Sequence, residues 1–167
     1  ANYIARYSSI EGWSTLPCGA SNGVSAQVNA LTTFRGRLIL GGAFAALGNG
    51  SAPVNRVAAY DSAGSVWSVL PFATTNTNGV GADVNALAEG ADGKLYVGGG
   101  FSNFGTTFTL TTLVQNIASW DGATLSSLGV APQSGLGGFV YALARYGTAM
   151  IAGGAFTSVA FASFGTP

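Results

Sequence analysis

Short runs of four to seven residues, in which apolar side chains alternate with small or polar ones, punctuate this chain. Val, Ile, Tyr and Trp dominate them, which predicts strands, because branched and aromatic side chains suit a pleated, half-buried surface. The runs recur in order. Val28-Asn29-Ala30-Leu31 returns as Val84-Asn85-Ala86-Leu87 and as Val140-Tyr141-Ala142-Leu143, at a spacing of 56 residues both times. Downstream of each lies a second mark: Leu38 to Phe44, Leu95 to Phe101 and Met150 to Phe156, with a double Gly before the last two residues. Upstream lie Ile4-Ala5-Arg6-Tyr7, Val57-Ala58-Ala59-Tyr60 and Ile117-Ala118-Ser119-Trp120. Each is followed by Trp13-Ser14-Thr15-Leu16, Trp67-Ser68-Val69-Leu70 or the degenerate Leu125-Ser126-Ser127-Leu128.

Turn residues separate the marks. Arg35-Gly36, Asp92-Gly93 and Tyr146-Gly147 suit tight hairpins, since Gly accepts positive φ. Asn22-Gly23, Asn78-Gly79 and the Gly-rich run from Ser134 to Gly138 mark the remaining connections. No segment sustains a 3.6-residue apolar period between caps, so no long helix is expected. The prediction is an all-β chain of roughly twelve antiparallel strands in three four-stranded sheets. The units run from about 1 to 53, 54 to 113 and 114 to 158, and 159–167 opens a fourth. A period of this length with four strands is the signature of β-propeller blades. The double Gly fits sheets that converge closely. The third strand of each unit is expected to bury Val28 with Leu31, Val84 with Leu87, and Val140 with Leu143. Trp13, Trp67 and Trp120 read as packing between sheets, and Phe44, Phe101 and Phe156 as plugs between neighbouring units.

The stretch from Val84-Asn85-Ala86-Leu87 through Leu95-Tyr96-Val97-Gly98-Gly99-Gly100-Phe101 to Asn116-Ile117-Ala118-Ser119-Trp120-Asp121-Gly122 resembles a known repeat. That repeat occurs in kelch-like and related β-propeller proteins of bacteria and in the extracellular part of fungal cortical polarity-marker proteins. The resemblance covers nearly the whole chain and implies a propeller-type repeat of secreted or cell-surface proteins; it implies no particular activity. Two departures stand out. Leu125 replaces the expected Trp, and three units are fewer than the four to eight blades of a closed ring. Three arrangements remain open: a piece of a longer protein, blades pooled from several chains, or an open stack of sheets.

Composition narrows the partners. Charged residues are 7% of the 167, against about 25% in ordinary soluble domains, and Lys plus Arg equals Asp plus Glu at 6 each. A neutral chain of this kind carries no basic footprint for nucleic acid and no polybasic patch for anionic lipid. No run approaches the ~18 apolar residues that span a bilayer. A neutral, Gly-rich surface suits a chain packed in an assembly, because free monomers usually carry net charge against self-association. With 48% hydrophobic and 11% aromatic residues, the chain can build a core.

Catalytic chemistry has little to work with. The chain has no His, so His-dependent triads, Cys-His pairs and His-ligated metals are excluded. Cys18 is the single cysteine and has no basic neighbour in sequence. The carboxylates are Glu11, Asp61, Asp83, Glu89, Asp92 and Asp121, and no motif pairs two of them as glycoside hydrolysis requires. Asp61 and Asp121 hold one repeat position, which reads as strand-end hydrogen bonding, and Asp92 belongs to a hairpin turn. Neither a calcium loop nor a phosphate-binding Gly motif is present. No catalytic, cofactor-binding or metal-binding residue is therefore assigned, and no cofactor is expected.

Modification sites are more readable. Asn49-Gly50-Ser51 is an N-glycosylation acceptor in a surface loop, although such triplets are common and a plain turn is the preferred reading. Thr106, Thr107, Thr109, Thr111 and Thr112 crowd an insertion between units two and three, suited to O-glycans, a strand extension or a subunit contact. Phe161-Ala162-Ser163-Phe164-Gly165 resembles Ile117-Ala118-Ser119-Trp120, so the two end segments are expected to meet between chains and to give head-to-tail filaments. The function expected is a non-enzymatic structural module of an extracellular or cell-surface assembly that associates with itself. The alternatives are a carbohydrate- or protein-binding propeller module and a fragment of a larger secreted propeller protein.

Overall fold

A computed structural model describes residues 2–18, 21–48, 52–70, 79–104, 114–130 and 133–159. Every regular element among them is a strand. Twelve are three residues or longer: β1 (Ala5–Ser8), β2 (Gly12–Thr15), β3 (Val28–Phe34), β4 (Arg37–Gly42), β5 (Val57–Asp61), β6 (Val66–Val69), β7 (Val84–Glu89), β8 (Leu95–Gly99), β9 (Ile117–Trp120), β10 (Leu125–Ser127), β11 (Val140–Tyr146) and β12 (Ala149–Gly154). Three two-residue pairings brace the connections.

The strands form two four-stranded antiparallel sheets, β3-β4-β5-β6 and β7-β8-β9-β10, and neither closes on itself. The hairpins β1-β2 and β11-β12 lie before and after them. Where three complete sheets are expected, the described residues form two, and the other four of the longer strands make a hairpin at each end. The sequence repeat also runs out of phase with the sheets. Each sheet takes two strands from one unit and two from the next, so the boundaries near 53 and 113 fall inside sheets.

Turn chemistry sets the hairpins. Arg35 and Gly36 both sit at positive φ, 49° and 75°, between the paired Phe34 and Arg37. That is the two-residue turn whose twist matches antiparallel strands. Gly23, Gly79 and Gly135 recur 56 residues apart with φ of 69°, 75° and 91°. A Cβ there would strike the carbonyl oxygens of Asn2, Asn55 and Gln115 respectively, so only Gly fits the frame that carries the chain into β3, β7 and β11.

Each of those three strands carries one extra residue. The register steps from Val28↔Gly42 to Ala30↔Gly41, from Val84↔Gly99 to Ala86↔Gly98, and from Val140↔Gly154 to Ala142↔Gly153. Asn29, Asn85 and Tyr141 are therefore the bulged residues, displaced from the ladder so that their side chains turn toward the neighbouring unit. Asn29 Nδ2 donates to Val84 O at 3.2 Å and to Asn85 Oδ1 at 3.1 Å. Asn85 Nδ2 reaches Val140 O at 3.5 Å. The Asn of the repeat thus links the first strand of one sheet to the first strand of the next.

Glycines let the sheets close together. A Cβ on Gly41 would run into Val84 Cγ1 and lie 3.2 Å from Leu87 Cδ1. On Gly98 it would meet Val140 Cγ1 at 2.6 Å and Leu143 Cδ1 at 3.3 Å. One core joins the complete sheets, with Phe34, Ile39 and Leu70 from the first against Val84, Leu87, Val97, Phe101 and Trp120 of the second. Another joins Ile4 and Leu16 beside the first hairpin to Leu40, Phe44, Ala58 and Tyr60.

Burial follows this layering and corrects three expectations. Val84, Leu87 and Val140 are buried, but Leu143 and Val28 are half-buried and Leu31 is 52% exposed; among the described residues no second-strand glycine of another sheet packs under Leu31 as Gly41 does under Leu87. Trp120 is buried and Trp67 is anchored by Nε1 donating to Pro17 O at 2.7 Å. Trp13 is 74% exposed, its ring 5.3 Å from that of Tyr7. Phe44 and Phe101 are fully buried plugs, whereas Phe156, on the terminal hairpin, is half-buried.

Candidate functional site

The starts of β3, β7 and β11 share one backbone frame. Ala43 N donates to Gln27 O, Gly100 N to Asp83 O and Ala155 N to Phe139 O, at 2.9, 3.0 and 2.9 Å. Beside them Tyr3, Arg56 and Asn116 adopt left-handed φ of 60°, 64° and 59°. The carbonyls of Arg56 and Asn116 accept from Gly42 N and Gly99 N at 3.0 and 2.9 Å. The frame repeats while its side chains differ, so the rim presents different chemistry at each unit.

At the second unit the rim opens into a groove of about 320 Å³ lined by Arg56, Asp83, Asn85, Gly100, Phe139 and Tyr141. Arg56 is positioned by Nη1 donating to Ala43 O at 2.8 Å. Its Nε lies 3.3 Å from Asp83 Oδ1, close enough for an ion pair but not aligned for a hydrogen bond. Phe139 lies over Gly100, where any Cβ would collide with the ring. Phe139 and Tyr141 stand nearly parallel, centroids 6.1 Å apart at 6°, and both are about half exposed. Both aromatic residues flank Val140, and the bulge at Tyr141 sets its place on the rim.

No protein-family model matches the chain, and no curated protein does.

The groove therefore has to be read from its own chemistry. It combines an exposed aromatic pair with one carboxylate, one guanidinium and one carboxamide. Flat apolar faces stack on such rings, and hydroxyl groups bond to such polar partners. Asp83 is the only carboxylate in its lining. Among the described residues, no group of three or more His, Cys, Asp or Glu is placed to hold a metal ion.

Asp61, Asp92, Asp121 and Glu11 sit in local structure. Asp61 Oδ1 accepts from Ala63 N at 2.9 Å, and Asp121 Oδ1 from Ala123 N and Thr124 N at 2.9 and 2.7 Å, the strand-end role expected of a repeated position. The bonds from Thr124 N and then Ala123 N hold the Asp121 carboxyl below its ordinary pKa. For Asp92, desolvation opposes ionisation. The hydrogen bonds from Lys94 N and Tyr96 Oη, with the Lys94 charge, outweigh it and lower the pKa. Desolvation, joined by the Asp92 charge, raises the pKa of Tyr96. Glu11 pairs with Arg6 at 2.8 Å on the surface. Partial burial pushes the Cys18 thiol up, which disfavours the thiolate.

Asn49, Thr106, Thr107, Thr109, Thr111 and Thr112 lie outside the described residues, as does the tail from 160 to 167. Sequence alone gives Arg56, Asp83, Phe139 and Tyr141 no place in a common site. One signal for the groove was available: Tyr141 stands where the other two units carry Asn.

Proposed function

We propose that this chain is a non-catalytic structural repeat module of an extracellular or cell-surface assembly. In this reading it is built from propeller-type blades and its copies associate head to tail. One observation carries it. Among the described residues, the strands of the two end hairpins carry the sequence marks of strands buried in the complete sheets, yet they are paired only within their hairpins and are largely exposed. Apolar strand edges in that state favour association over free solution. The low, balanced charge supports the same reading, since little repulsion opposes contact between copies. Sedimentation of the purified chain across a hundredfold concentration range tests it. Mass should rise well above 16.7 kDa with concentration. A monomer throughout would overturn the proposal.

A second reading, carbohydrate binding, is favoured by the parallel Phe139–Tyr141 pair beside Asp83 and Arg56. A glycan panel probed with the native chain and with Tyr141→Ala tests it. Retained glycans should be lost in the variant; equal retention by both removes the groove from consideration.

A further inference from the structure

A second cleft, of about 250 Å³, opens between the two complete sheets at the end of β3 opposite the rim groove. Phe34 of β3, Ile39 of β4, Leu70 just after β6 and Trp120 of β9 line it, together with Arg35 and Arg37. The four apolar residues are buried and both arginines are exposed, so charge stands at the mouth and apolar surface beneath it. Alternation along β4 sets this arrangement. Arg37 shares a face with Ile39, and Ile39 belongs to the core that joins the two sheets.

Arg35 is fixed in place. Its Nη2 donates to Asp121 O at 2.5 Å, and its guanidinium carbon lies 5.1 Å from the centroid of the Phe34 ring. Gly122, at a φ of 102°, leaves the space for Nη1 that any Cβ would occupy. The charge at this mouth is not neutralised. Arg6, Arg56 and Lys94 lie beside Glu11, Asp83 and Asp92, whereas among the described residues Arg35 and Arg37 form no such ion pair. Lys94 precedes Leu95 as Arg37 precedes Leu38, and it is balanced by Asp92 of its own turn; the first unit has Arg35 in its turn instead. Asp121 feels the Arg35 charge, but its Oδ1 is taken by Ala123 N and Thr124 N.

The departure of Leu125 from the repeat falls next to Trp120. In the first sheet Trp67 stands opposite Tyr60, ring centroids 5.0 Å apart, and reaches across to donate to Pro17 O. Leu125 stands opposite Trp120 in the same register and has neither a ring to lay over it nor a donor to reach across.

We propose that this cleft binds a carboxylate carried on a flat apolar ring, the chemistry of benzoate. The carboxylate meets Arg37 and the remaining N–H groups of Arg35, whose planar forks match its two oxygens. The ring enters against Phe34 and Trp120, which are tilted by 47° with centroids 5.6 Å apart. A bare anion would leave the aromatic floor to water, and an uncharged ring would leave both guanidiniums unneutralised.

Isothermal titration calorimetry with sodium benzoate, at a fixed ionic strength of about 0.15 M, tests the site. One equivalent per chain is expected, with a dissociation constant of roughly 1 mM or below for a ligand this small. Arg37→Gln should weaken binding about tenfold or more, the loss of a charge-assisted hydrogen bond, and because Arg37 is exposed the substitution leaves the core intact. Arg145→Gln removes the same charge from an exposed position on β11 and should leave binding within about twofold. Benzamide supplies the ring without the charge and inorganic sulfate the charge without the ring; each should bind at least about tenfold more weakly than benzoate. No saturable benzoate binding up to about 10 mM overturns the proposal, as does equal weakening by Arg37→Gln and Arg145→Gln. Benzamide binding as tightly as benzoate would reduce the site to an apolar cleft, and sulfate doing so would reduce it to a charged one. Either result refutes the ligand assigned here.

Discussion

Leu31, Leu87 and Leu143 hold one position of the repeat and differ in what lies over them. Leu87 is 8% exposed within the core between the complete sheets and packs against Gly41. Leu143 makes the same contact with Gly98 but is half-buried, and Leu31 is 52% exposed. Leu87→Ala removes a covered side chain and leaves a cavity that the glycine-lined contact cannot collapse to fill. The expected cost is about 2–5 kcal/mol. Leu31→Ala removes a side chain that already meets water on one side, so about 1 kcal/mol or less is expected, and Leu143→Ala should fall between them. Urea titration at low concentration, followed by tryptophan fluorescence, reads all three. Trp120 is a suitable reporter because it is buried with its ring 5.6 Å from Phe34 of the other sheet. With a urea slope of about 1–3 kcal/mol/M, Leu87→Ala should lower the midpoint by roughly 1–2 M. Equal costs for Leu31→Ala and Leu87→Ala would mean that β3 is covered in the monomer and would refute the open face. A cost under about 1 kcal/mol for Leu87→Ala would refute the intersheet contact itself.

Three further expectations concern the frame. Gly79→Ala combines a φ of 75° with a collision against the Asn55 carbonyl, and should cost about 3 kcal/mol or more. Gly36→Ala shares that φ in open space and should cost only about 1–2 kcal/mol; thermal melts of the pair separate torsion from collision. Asn29→Ala deletes the bond to Val84 O and should lower stability by about 1 kcal/mol in chemical denaturation. A denaturation series on Asn29→Ala showing no change would remove the side-chain link between sheets from the account. Asp92 and Asp121 have folded pKa values below their unfolded ones. Their contribution is therefore full above the unfolded carboxyl pKa of about 3.9 and is lost as pH falls through the lower folded values. Denaturation midpoints of native chain and Asp121→Ala should converge as pH drops from 6 to 2, and a constant gap between them would contradict the sign.

The amino-acid sequence by itself determined the strands and their order. The apolar alternation, the turn glycines and the 56-residue spacing each rest on local backbone chemistry, and the twelve longer strands lie on the four recurring marks. It also determined the roles of Asp61 and Asp121, because an aspartate at a strand end bonds to amides two or three residues away. Tertiary structure alone decided which strands share a sheet. Antiparallel pairing joins the end of one unit to the start of the next, and a repeat read along the chain has no preferred phase. It alone decided that Leu31 is exposed where Leu87 is buried, since identical repeat positions differ only in the presence of a neighbouring sheet. The rim groove is likewise tertiary. Arg56, Asp83 and Tyr141 are far apart in sequence, and they come together because three first strands stand side by side, each with its bulge at the same height.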